Sequence, residues 1–83
     1  MKTIYKYPLE INDQQTVNLP SSARLLTVQV QNGVPCLWAL VDTADRESPR
    51  LIQMFGTGHP SETAGVYIAT FQFGPLLFHV FEN

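Results

Sequence analysis

The 83-residue chain is long enough for one domain, residues 1–83, and a domain this small buries only roughly 60% of its unfolded surface, so its core is thin and self-association would help it. Hydrophobic residues make up 45% and charged residues 14%, with a formal net charge of −2; the five basic residues are scattered without a basic stripe, which argues against duplex nucleic acid as a partner. No apolar run approaches the ~20 residues of a membrane helix, and the single cysteine, Cys36, excludes an intramolecular disulfide and fits a reducing compartment.

Thr3 to Leu9 alternates Tyr5, Tyr7 and Leu9 with Ile4, Lys6 and Pro8, the pattern of a strand rather than of a signal peptide. Pro8 cannot donate to a ladder, so this strand is expected at an edge or ending there. Asn12-Asp13-Gln14 reads as a polar turn, Thr16 to Leu19 as a short strand, and Pro20-Ser21-Ser22 as a loop.

The strongest local signal follows. Asn32-Gly33 separates LLTVQVQ from VPCLWALV, and a type I′ hairpin turn needs positive φ at both central residues, which Asn and Gly reach at least cost. A two-residue loop sets Gln31 opposite Val34 and Val28 opposite Leu37. One face then carries Leu26, Val28, Val30, Pro35, Leu37 and Ala39, all expected in the core. The other mixes Thr27, Gln29 and Gln31 with Cys36, Trp38 and Leu40. A tryptophan beside amides suits an interface or a ligand floor as well as it suits packing.

Asp42 to Pro49 is the most charged segment and lacks an apolar period, so it reads as a solvated loop. Arg50 to Phe55 is apolar on both faces, as a central strand is. Gly56-Thr57-Gly58-His59 breaks it. Val66 to Phe73 and Leu76 to Glu82 form a second hairpin around Gly74-Pro75. Its register gathers Ala69, Phe71, Phe73, Leu76, Phe78 and Val80 on one apolar face and places His79 opposite Thr70 on the other. The whole predicts an all-β fold, a compact antiparallel β-sandwich or small barrel of six to seven short strands, with a small α+β fold as the alternative.

Candidate chemistry is sparse. Gly56, Thr57, Gly58 and His59 could form a backbone nest for an anion, or only a tight turn that needs two glycines. His59 and His79 lack metal-ligand spacing with each other or with Cys36, so no metal and no cofactor is expected. Cys36 reads as a small buried hydrophobe rather than half of a catalytic dyad. The seven acidic residues form no paired motif. Trp38 could stack on a ligand, with Arg50 or His59 supplying charge.

Three segments, KTIYKYPLEI at 2–11, QVQNGVPCLWALVD at 29–42 and GTGHP at 56–60, together with the closing FHVFEN, resemble a small family of uncharacterised phage and bacterial proteins. The resemblance brings no activity and no catalytic residue. It implies a short accessory protein, often phage-encoded, working in the bacterial cytoplasm. On that basis the expectation is a non-enzymatic counter-defence protein that sequesters a small nucleotide-like ligand at a homo-oligomer interface. The ligand would be held by Trp38, Arg50 and the Gly56–His59 loop. The alternative is a protein-binding inhibitor of a host defence enzyme; a minor enzyme ranks third because no catalytic constellation is visible.

Overall fold

The computed structural model describes residues 1–83 as seven strands and no helix: β1 (Lys2–Pro8), β2 (Gln14–Pro20), β3 (Arg24–Gln31), β4 (Val34–Asp42), β5 (Glu47–Gly56), β6 (Val66–Phe73) and β7 (Leu76–Glu82). All pairings are antiparallel. They build a three-stranded sheet, β1-β4-β3, and a four-stranded sheet, β2-β5-β7-β6, packed as a small sandwich.

The Asn32-Gly33 turn has the backbone its residues favour, with φ of 52° and 79°. The hairpin register is the one that turn imposes, from Gln31 opposite Val34 to Val28 opposite Leu37. Val28, Leu37 and Ala39 are fully buried. Leu26 and Val30 are not, and the assignment of the whole apolar face to the core needs correcting at both. A β-bulge between Leu25 and Thr27 shifts the register by one, so Leu25 takes the position opposite Ala39 and Leu26 is left 39% exposed. Val30 lies near the hairpin tip and is 38% exposed. The charged segment is shorter than its composition suggests: β5 begins at Glu47, paired with Pro20 of β2, so only residues 43–46 form the turn.

Gly74, with φ 60°, opens the second hairpin, and its register also holds: Phe71 faces Phe78 and Thr70 faces His79. Leu76 is the exception to its apolar face, standing exposed at the hairpin end. The inward faces of both sheets meet in one core that includes Leu19, Val28, Leu37, Ala39, Ile52, Met54, Phe71 and Val80. Burial of such side chains stabilises a fold by about 1.5–3 kcal/mol each.

Two features of the four-stranded sheet position everything that follows. First, Arg50 points inward. Its guanidinium is bidentate to the Glu82 carboxylate, and its Nη1 donates to the Ala23 carbonyl at 3.1 Å, tying β5, β7 and the start of β3 together. The carboxylate holds the guanidinium above its ordinary pKa, outweighing the opposing effect of burial. Second, β5 and β6 both run antiparallel to β7 and so run parallel to each other. Residues 57–65 must therefore cross the sheet from the Gly56–Phe78 end to the Val66–Glu82 end.

Gln53, on the outward face and only 4% exposed, pins that crossover: its Nε2 donates to the Thr63 carbonyl and its Oε1 accepts from Gly65 N–H, both at 3.0 Å. Gly65 lands so close to the β7 backbone that a Cβ there would overlap the Glu82 carbonyl. Gly65→Ala is expected to lose on the order of 1–3 kcal/mol in urea unfolding, because backbone rather than a flexible side chain must yield. Gly33→Val has open space around it and is expected to lose a similar ~1–3 kcal/mol through backbone strain alone.

Candidate functional site

The crossover starts in a tight turn. His59 N–H donates to the Gly56 carbonyl at 3.1 Å, and Gly58 sits at φ 85°, the position where such a turn requires glycine. Gly56 is in close contact instead: a Cβ there would lie 2.9 Å from His59 Cε1, so the exposed imidazole rests against the bare backbone and would have to turn aside. The turn accounts for Gly58 alone, since Gly56 has no positive φ. The N–H groups of Thr57 and Gly58 nevertheless donate to no group in the chain, which leaves two successive backbone donors at the surface.

The turn is joined to the sheet by a polar chain. Thr57 Oγ1 is 2.7 Å from His79 Nε2, His79 Nδ1 is 3.0 Å from Thr70 Oγ1, and Thr70 Oγ1 is 2.9 Å from the Tyr67 hydroxyl. A neutral imidazole offers one donor and one acceptor, and hydroxyls serve either role, so every member is satisfied. Pairing of Thr70 with His79 across β6 and β7 sets the chain's spacing. Beside it, Phe81 makes edge-on contacts with Phe55 at 5.7 Å and Tyr67 at 5.5 Å, giving this outward face an aromatic floor.

Two clefts meet at His59. One, of about 380 Å³, has Asp13, Gln14, Gln53 and Thr63 on its polar side and Met54, Phe55 and Pro60 on its apolar side. The other, of about 350 Å³, runs from Gly56 and Thr57 to Pro75, Leu76, Leu77 and Phe78 and is more apolar. Of the side chains expected to act together, Thr57 and His59 line these clefts with Gly56, while Gly58 completes the turn. Arg50 and Trp38 line neither. Arg50 is committed to Glu82. Trp38 is half-buried on the outward face of the other sheet, between Lys6 of β1 and Thr27 of β3.

A model of a domain of unknown function, DUF7352, matches residues 1–83. The chain belongs to that family. No curated protein and no solved structure matches it. The family assignment brings no chemistry with it, so the site rests on geometry.

Thr70, His79 and Tyr67 were not among the site residues expected from the sequence. The Gly74-Pro75 register did put His79 opposite Thr70, but nothing in the sequence joined Thr57 to them. No group of three His, Cys, Asp or Glu side chains converges as a metal site would require. Cys36 is buried beside Pro8 and Gln29, its thiol directed to the Val34 carbonyl at 3.4 Å.

Thr57→Val keeps the side-chain volume and removes the hydroxyl that binds His79. Amide exchange across residues 57–60 is expected to speed up several-fold, with exchange in β3 and β4 unchanged.

Proposed function

We propose that the protein is a non-enzymatic binding protein whose ligand site is the Gly56–His59 turn, and that its ligand is small, anionic and nucleotide-like. The observation that carries this reading is the junction at His59. A cleft with polar walls and a more apolar cleft open on either side of one turn that presents two unused backbone N–H donors. Such donors suit a phosphate or carboxylate, and the wall of Pro75, Leu76 and Leu77 suits a flat heterocycle.

Arg50 is neutralised by Glu82 and is not offered as the ligand's cation; His59, which lines both clefts, is the ligand contact in its place. Trp38, on the opposite sheet, reaches the ligand only from a second copy of the chain, so a contribution from Trp38 ties binding to a homo-oligomer. The biological role proposed, phage counter-defence by sequestration of a nucleotide signal, rests on the sequence resemblance and not on the site.

The test is isothermal titration of linear and cyclic nucleotides into the wild-type protein, with light scattering to define the copy number. His59→Ala and Gly58→Val are each expected to weaken binding at least tenfold while the β-sheet circular dichroism stays unchanged. Trp38→Ala weakens it only if the bound species is an oligomer. If no nucleotide binds at high micromolar concentration and a host enzyme is retained by the protein in a pull-down, the sequestration reading fails and inhibition of that enzyme replaces it.

A further inference from the structure

Charge is distributed unevenly over this small molecule. Three of its five basic side chains, Lys2, Lys6 and Arg24, lie on the outward face of β1-β4-β3, and Asp42 is the one acid there. Two bases and six acids are left for the rest of the chain. Asp42 is already occupied. It accepts from Ala44 N–H at 3.1 Å and from the Met1 ammonium at 3.3 Å, and these bonds hold its carboxyl below its ordinary pKa. Neither lysine nor Arg24 has a carboxylate within salt-bridge distance; Lys6 is bound only to the neutral Gln31 amide, at 2.8 Å.

Trp38 stands in the middle of this face, on the central strand. Lys6 is its partner on β1. One outward position along β4, about 7 Å away, is Leu40, whose partners are Ile4 and Arg24. A cleft of about 250 Å³ opens there, between Lys2 and Arg24, with Ser22 and the Asp42 carboxylate also in its wall. β1 and β3 are two strand spacings, about 10 Å, apart; Lys6 is level with the indole, Arg24 is one outward position further along, and Lys2, opposite Asp42, is two, about 14 Å. Lys2 faces Asp42, but Lys6 and Arg24 have no carboxylate partner, and an aromatic platform with such cations along it has the composition of a single-strand binding surface, where a ring stacks on a base and cations follow the phosphates. We propose that the outward face of β1-β4-β3 binds single-stranded nucleic acid, with a base on Trp38 and phosphates held by Lys6 and Arg24. This surface lies on the other sheet from the turn at His59, and the two sites compete for Trp38 wherever an oligomer brings that residue to the turn's ligand.

Trp38 is the only tryptophan, so its fluorescence reports stacking directly. The probe is a fluorescein-labelled oligothymidylate, followed by anisotropy, with an unlabelled copy for the quenching of Trp38. Wild-type protein is expected to bind at low salt, to lose tryptophan emission on binding and to weaken as salt rises. Lys6→Gln and Arg24→Gln, both at exposed positions, are each expected to lower the slope of log affinity against log salt by about 0.7. Trp38→Ala is expected to weaken binding roughly tenfold; if that variant does not fold, the two charge variants carry the test. Arg46→Gln removes an exposed charge from the turn after β4 rather than from the three strands and is expected to weaken binding less than Lys6→Gln does. The proposal is overturned if no binding occurs at low salt, if Arg46→Gln weakens binding as much as Lys6→Gln, or if a duplex binds as tightly as the single strand. It is also overturned if polyglutamate competes as well as unlabelled oligonucleotide, because the face then reads the charge of an acidic protein surface.

Discussion

The structure depends on one topological constraint: β7 comes last in the sequence but lies between β5 and β6. Those two strands are therefore parallel and not hairpin-linked, and parallel strands usually need a crossover of a dozen residues or more. Here residues 57–65 suffice, because the segment is drawn tight across the outward face and held at both ends. At one end Gly56 and Gly58 allow a turn with the His59 ring packed on backbone; at the other Gly65 comes close to the Glu82 carbonyl. In between, Gln53 supplies the two hydrogen bonds that regular ladder pairing would otherwise have given. The turn at His59, its two clefts and the Thr57–His79–Thr70–Tyr67 chain all follow from how that short connection is laid down.

The same sheet uses charge inside and keeps amides and hydroxyls outside. Arg50 and Glu82 neutralise one another at the margin of the core, with the Ala23 carbonyl as a third partner. Part-buried pairs of this kind gain little net stability over apolar packing, but they are costly to break singly. Their geometric effect is plain: they fix the end of β7 relative to β5 and to the entry of β3. The outward face needs no such device, since hydroxyls and an imidazole satisfy one another from Tyr67 to Thr57.

Much of the fold could be read from residues whose chemistry acts locally. Asn32-Gly33 and Gly74-Pro75 determine two hairpin registers, and each register sorts side chains onto faces through simple alternation. The reading failed where a residue breaks alternation without a turn signal. Leu26 has nothing in its neighbourhood to mark a bulge, and Glu47 nothing to mark a strand start, because both are decided by partners distant in sequence. The candidate site divides in the same way. The Gly56–His59 turn is visible as glycine spacing and His79–Thr70 as register. Their union through Thr57 is invisible until the crossover is known, as is the inward capture of Arg50 by a carboxylate 32 residues away.

The central place of β7 also bears on how the chain reaches this state. Hairpin β3–β4 closes locally, but β1 finds β4 only across the whole of β2 and β3, with Thr3 opposite Val41. Pairings so distant in sequence slow folding, because loop entropy is lost before contacts form. On a ribosome, β5 and β6 would emerge with facing edges unpaired and no strand to fill the gap. During that interval the aromatic residues Phe55 and Tyr67 remain open to any passing chain, and β7 ends the exposure by entering between two edges at once.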